Sequence, residues 1–134
     1  MTEKKLIEKA VLAMNNSYSP YSGFRVGAAL LCQNGNIYIG TNVENASYSA
    51  TICAERSAIS GAISNGETKF SAMAIVGGKN GEINDYCYPC GICRQVINEF
   101  CDKDFKIILT NGSTVKTLSL NELLPHSFGR DTLC

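Results

Sequence analysis

Three thiols and a carboxylate stand in two short segments of this chain. Cys53 and Glu55 flank Ala54, and Cys90 and Cys93 lie within Pro89-Cys90-Gly91-Ile92-Cys93. Three protein thiolates leave one position of a tetrahedral zinc ion open to water. A carboxylate set apart from those ligands has a proton-transfer task, which a closed structural zinc site never requires. Cys90 and Cys93 are close to one helical turn apart, so both sulfurs can face one ion. Glu55 lies about 200° around a helix from Cys53, at roughly 100° per residue, and so can reach toward the open position instead of chelating beside Cys53.

Placement in the first turn of a helix favours thiolate over thiol, because unpaired N–H groups and the helix dipole point there. Three thiolates on one divalent ion nevertheless leave the site net negative, and a cation is needed to offset them. Arg56 falls on the same helical face as Cys53, and Arg94 adjoins Cys93. Arg56 is expected to hydrogen-bond ligand sulfurs. Other readings stay open at this point. A closed zinc site, as in a structural zinc interaction module, needs a fourth ligand from Cys87, Cys101 or His126. An iron–sulfur run is suggested by Cys87-x-x-Cys90-x-x-Cys93, but Ile97 stands where its next cysteine belongs. A redox pair of Cys90 and Cys93 leaves Cys53 and Glu55 without a role.

The chain that must position these groups has 134 residues, enough for one domain (1–134) with a hydrophobic core and no disulfide staples. Its 12 basic and 12 acidic residues balance, with no basic run, which argues against a phosphate-tracking surface and a nucleic-acid partner. The 45% hydrophobic share is ordinary for a globular protein. No apolar run approaches the roughly 20 residues that span a bilayer, so no membrane association is expected. Residues 1–5 lead into a mixed amphipathic stretch without a signal-peptide core, so the cytoplasm is the expected location. The seven cysteines then read as metal ligands and buried thiols.

Apolar spacing predicts a helix over residues 3–15, and residues 17–23, with their Pro and Gly, read as a loop. Strands follow over 24–32 and 36–41, joined through Asn34-Gly35, a strong hairpin signal. Residues 42–51 are a polar loop, 52–64 a helix ended by Asn65-Gly66, and 70–76 a strand before a glycine-rich turn region at 77–81. A helix over 90–100, strands over 105–109 and 115–118, and a helical turn over 120–124 complete the chain. The alternation of strands and helices from 36 to 109 implies parallel crossovers. The expected fold is a three-layer α/β/α domain with a mixed, mostly parallel five-stranded sheet. Ligands of such sheets bind beyond the carboxyl ends of the strands, where both cysteine segments begin their helices.

Cys53-Ala54-Glu55 with Pro89-Cys90-x-x-Cys93 resembles the zinc-dependent nucleoside deaminase signature, with Cys53 in place of its histidine. Ser19-Pro20-Tyr21-Ser22-Gly23-Phe24-Arg25-Val26-Gly27-Ala28-Ala29, Asn42-Val43-Glu44-Asn45-Ala46-Ser47-Tyr48 and Cys90-Gly91-Ile92-Cys93-Arg94-Gln95-Val96 are similar to the small cytidine deaminases with a three-cysteine zinc site. The resemblance covers nearly the whole chain, more loosely at the C-terminus. It implies hydrolysis of cytidine and deoxycytidine to uridine and deoxyuridine with release of ammonia, in pyrimidine salvage, with one zinc per subunit. Water activated at the metal adds to C4, and Glu55 is the proton shuttle. By the same resemblance Asn42 and Glu44 hold the ribose 3′-hydroxyl, Phe24 packs on the nucleoside, and Ala46 and Ala54 act through backbone groups. It also implies a homotetramer with shared active sites, to which Tyr48 and Phe128 contribute across interfaces. A blasticidin-type aminonucleoside deaminase is the alternative enzyme, and Asn42-Val43-Glu44-Asn45 favours an ordinary ribonucleoside.

Overall fold

The computed structural model describes residues 2–134. Helix α1 (Glu3–Met14) is capped by Thr2, whose hydroxyl accepts from Lys5 N at 3.2 Å. Strands β1 (Phe24–Cys32) and β2 (Ile37–Thr41) form the hairpin predicted from Asn34-Gly35. Helix α2 (Ala54–Ser64) leads to β3 (Phe70–Lys79), and α3 (Gly91–Phe100) leads to β4 (Lys106–Thr110). Strand β5 (Val115–Ser119) runs into the short helix α4 (Leu120–Leu123), and α5 (Arg130–Leu133) ends the chain.

The sheet is mixed and five-stranded, in the order β2-β1-β3-β4-β5. The expectation that it is mostly parallel is corrected by its pairings. Only β3 with β4 is parallel, whereas β1–β2, β1–β3 and β4–β5 are antiparallel. The crossover from β2 through α2 does not return beside β2. It passes over β1 and delivers β3 to that strand's free edge, so β2, β3 and β4 share a direction without all being neighbours. The same pairing carries β3 through the glycines expected to form a turn, with Val26 opposite Gly77 and Arg25 opposite Gly78. The short helix α5 and a single 3-10 turn at Tyr48–Ala50 were not foreseen in the sequence.

Both faces of the sheet are covered. Leu6, Ala10 and Met14 of α1 pack on Ala29, Ala74, Val76 and Ile108. On the opposite face Ala58, Ile59 and Ala62 of α2 and Ile97 of α3 pack on Leu30, Met73, Ile75, Ile107 and Leu109. Each fully buried Leu or Ile here contributes about 1.5–3 kcal/mol relative to exposure. Glu67, just past α2, accepts from Asn34 Nδ2 at 2.9 Å, Asn36 Nδ2 at 2.8 Å and Tyr38 Oη at 2.9 Å, tying the hairpin turn to the end of α2.

Helix α2 sits unusually close to β2 at Gly40, where a Cβ would lie 2.4 Å from both Ala54 O and Ala58 N. Those are backbone atoms of the helix, so they cannot rotate away. Gly40→Ala is therefore expected to push the first turn of α2 off the sheet and destabilise the fold by about 1–3 kcal/mol or more. Denaturant unfolding of the two proteins side by side measures this.

Candidate active site

Cys53 and Cys90 occupy equivalent places, each as the N-cap residue of its helix with extended backbone. N-cap side chains ordinarily accept from an N–H of the first turn. Neither cysteine makes such a bond, so both sulfurs stay at the helix end and are free to ligate. Cys93 follows within the first turn of α3 and is fully buried. The three sulfurs lie within 4.8 Å of one another, and Cys53 Sγ is 3.9 Å from Cys90 Sγ. Tetrahedral zinc with Zn–S of ~2.3 Å sets its sulfurs about 3.8 Å apart, so this soft donor set fits the ion in chemistry and in span. Among the described residues the cluster has three ligands. Cys87, Cys101 and His126 are outside it, so the closed four-ligand alternative is not formed. Burial pushes the Cys87 and Cys101 thiols up to about 12 each, as expected of protonated packing groups.

Arg56 meets the cluster from α2. Its Nη2 donates to Cys53 Sγ at 3.5 Å, and its Nε is buried without a hydrogen-bond partner. The cation is thus held against the Cys53 sulfur. The Cys93 thiol and then Arg56 donate to the Cys53 sulfur and hold it well below the ordinary thiol range, at about 5. Glu55, 4% exposed, stands outside the ligand group. Burial pushes its carboxyl up; a hydrogen bond from its own backbone N–H opposes this, and the Cys53 thiolate adds to it. A carboxylate that readily takes up a proton beside a three-ligand metal centre is what general acid–base chemistry requires.

Arg94 does something different from Arg56. Its Nε donates to Pro89 O at 2.7 Å and its Nη1 to Leu123 O at 2.7 Å. It pins the residue immediately before Cys90 to the end of α4, and it is not the charge-offsetting group.

The other predicted residues surround this centre unevenly. Asn42 is buried, and its amide is largely committed. Oδ1 accepts from Ser17 Oγ and from Val26 N at 2.9 Å, while Nδ2 donates to Phe24 O at 2.8 Å. Glu44 accepts from Tyr21 N at 2.9 Å, Ser22 N at 3.1 Å and the Ser22 hydroxyl. Those bonds, the hydroxyl's first, hold its carboxyl below the usual range. Asn42 and Glu44 therefore fasten the loop of residues 17–24, one amide N–H and part of the carboxylate remaining uncommitted. Ser17 and Ser22 do this fastening, a role that nothing in the loop reading of residues 17–23 signals. The Phe24 ring edge and the Cys87 sulfur both lie over Gly77, which puts Cys87 on the wall beside Phe24. Ala54 is fully buried in the first turn of α2, and Ala46 lies in the exposed loop. Tyr48 is 78% exposed and meets Tyr21 edge-on with ring centroids 6.4 Å apart. Together with Ser22, Glu44, Asn45 and Thr51 these tyrosines line a cavity of about 330 Å³. Phe128 is not among its lining residues and projects from the C-terminal segment, 58% exposed.

Cys90→Ala removes a ligand and Cys101→Ala does not. After dialysis against a chelator, elemental analysis is expected to find well under one zinc per Cys90→Ala chain. The Cys101→Ala chain should keep about the wild-type content.

A family model described as the cytidine and deoxycytidylate deaminase zinc-binding region matches residues 1–109. The chain is 43% identical over 134 residues to a cytidine deaminase of Sporosarcina psychrophila, covering 99% of this chain and 96% of that protein. Its structure is similar to the crystal structure of cytidine deaminase from Burkholderia pseudomallei, with a TM-score of 0.88 and 42% identity over 96% of this chain and 100% of that one. It is also 34% identical over 110 residues to a blasticidin-S deaminase of Bacillus cereus, covering 79% of this chain and 78% of that protein.

Proposed function

The chain belongs to the cytidine and deoxycytidylate deaminase family, and from that premise we propose that it hydrolyses cytidine and deoxycytidine to uridine and deoxyuridine with release of ammonia. The observation that carries this reading is a cluster of three cysteine sulfurs with a buried carboxylate beside it and outside it. Cys53, Cys90 and Cys93 hold one zinc per subunit. Zinc supplies there a Lewis acid that makes water a nucleophile near neutral pH. Glu55 takes a proton from the attacking water and delivers it to N3 of cytosine. Once the bond from oxygen to C4 has formed, Glu55 takes the second proton from that oxygen and passes it to the amine nitrogen, and the C4–N bond breaks to leave a C4 carbonyl and ammonia. Arg56 offsets the charge of the thiolates, so that they do not quench the acidity the reaction needs.

Asn42 and Glu44 bind the ribose 3′-hydroxyl, the amide donating with its uncommitted N–H and the carboxylate accepting. Phe24 packs on the nucleoside, and Ala46 and Ala54 contribute backbone groups. The working form is a homotetramer in which Tyr48 and Phe128 complete neighbouring sites. Support comes from the apolar side chains left exposed around that segment, Val43, Tyr48 and Ile52, and from the exposed ring of Phe128. No helix among the described residues is long and apolar enough to cross a membrane. The proposed setting is cytoplasmic pyrimidine salvage.

Zinc-loaded protein incubated with cytidine is expected to release ammonia with the ultraviolet change to uridine. Turnover of blasticidin S and none of cytidine would replace this reading with the aminonucleoside alternative. Glu55→Gln should retain zinc and lose about 10²–10⁴-fold in turnover, the range of general acid–base catalysis. A zinc-loaded Glu55→Gln protein with near-normal turnover would remove the proton-shuttle role. Sedimentation is expected to give a tetramer, and a fully active monomer would exclude shared sites.

A further inference from the structure

Helix α3 carries two metal ligands at its start, and the turns that follow hold the C-terminal segment of the same chain. Gln95 Nε2 donates to Phe128 O at 2.8 Å, and Asn98 Nδ2 donates to the same oxygen at 3.2 Å. Ser127 Oγ donates to Asn98 Oδ1 at 3.3 Å, so Asn98 grips two successive residues. Arg94, one residue before Gln95, anchors Leu123 O, where the segment begins. The exposed pair of Arg130 Nε and Glu99 Oε2 lies at 3.7 Å beyond it.

The bonds go to the backbone of Phe128 and leave its ring 58% exposed. Fixing a carbonyl with two donors fixes the adjoining Cα–Cβ direction, and so aims the side chain without covering it. A Phe side chain left more than half exposed by its own chain keeps apolar surface that a partner surface or ligand can cover. Gly129 reports the same closeness independently. Its φ of −158° is extended backbone open to any residue, yet a Cβ there would lie 2.6 Å from Asn98 Nδ2. A side chain at 129 therefore requires the Asn98 amide that bonds Phe128 to shift.

We propose that Gln95 and Asn98 are positioning residues for substrate binding: they seat residues 127–129 on α3 and thereby aim the Phe128 ring at the site it completes. This rests on the proposed role of Phe128 in covering the nucleoside. It adds that the helix holding the metal also sets the geometry of the tail, through contacts that touch neither zinc nor substrate.

The test compares zinc-loaded wild type, Gln95→Ala/Asn98→Ala, Phe128→Ala and the combination of all three. For cytidine, the double variant is expected to raise KM about tenfold, in line with two lost hydrogen bonds of this kind. Its kcat should stay within about twofold of wild type, with full zinc content. Amide hydrogen exchange over residues 127–132 should accelerate in the double variant and not in Phe128→Ala. Phe128→Ala should raise KM by a similar factor, and the combination should add little, because the residues act as one unit. Gln95→Lys, which keeps an N–H donor, is expected to retain a KM near wild type. Gly129→Ala should raise KM alone and have no further effect in an Asn98→Ala background. A wild-type KM in the double variant, with Phe128→Ala raised, overturns the proposal and leaves the reading of Phe128 intact. A wild-type KM in Phe128→Ala overturns that reading and the proposal with it.

Discussion

Three cysteine sulfurs within 4.8 Å of one another repel once deprotonated, and two helix N-termini with one guanidinium supply the opposing potential. That balance explains where the helices must begin. Cys53 and Cys90 are both N-cap residues whose side chains do not cap, so each helix offers its unpaired N–H groups toward a thiolate without consuming the sulfur. The sheet has to bring two helix starts to one place, and the close approach at Gly40 sets how deeply α2 beds on it. Moving either helix by a fraction of an ångström changes sulfur separations that zinc tolerates only narrowly.

The two arginines near the ligands divide the remaining work by reach. Arg56 turns inward and ends on a sulfur, with its Nε buried and without a hydrogen-bond partner. Arg94 turns along the protein and ends on two carbonyls, Pro89 O and Leu123 O. One places a positive charge against the sulfur cluster, and the other holds the backbone that presents it. A lysine would serve poorly at position 94, because a single ammonium lacks the planar fork that reaches two separate acceptors.

What could be read from the chain was whatever local chemistry dictates. Cys90 and Cys93 announce a shared ion by spacing, Asn34-Gly35 announces its hairpin, and Leu6, Ala10 and Met14 announce a helix face. Glu55, set apart from the ligands, announces proton transfer, and the resemblance of Cys53-Ala54-Glu55 adds the reaction it would serve. Long-range pairing was not legible. Whether β3 would lie beside β2 or on the far edge of β1 depends on which edge is free once the hairpin has formed, and no residue in β3 signals that choice. Gly77 and Gly78 look like turn residues in isolation and become strand because Val26 and Arg25 pair with them. Arg94 looked like a second charge partner because it adjoins Cys93. The carbonyl of Leu123, which claims it, is 29 residues away.

Ser17, Val26 and Phe24 draw on the Asn42 amide, and Tyr21 and Ser22 draw on the Glu44 carboxylate. The two side chains assigned to the sugar are thus also the fasteners of the loop that forms the pocket wall. An exchange at position 42 or 44 is therefore also an exchange in the anchoring of that loop. Any replacement there must also satisfy five scaffold residues, Ser17, Tyr21, Ser22, Phe24 and Val26, so a side chain chosen for what it presents to the pocket is judged as well by what it does to the wall.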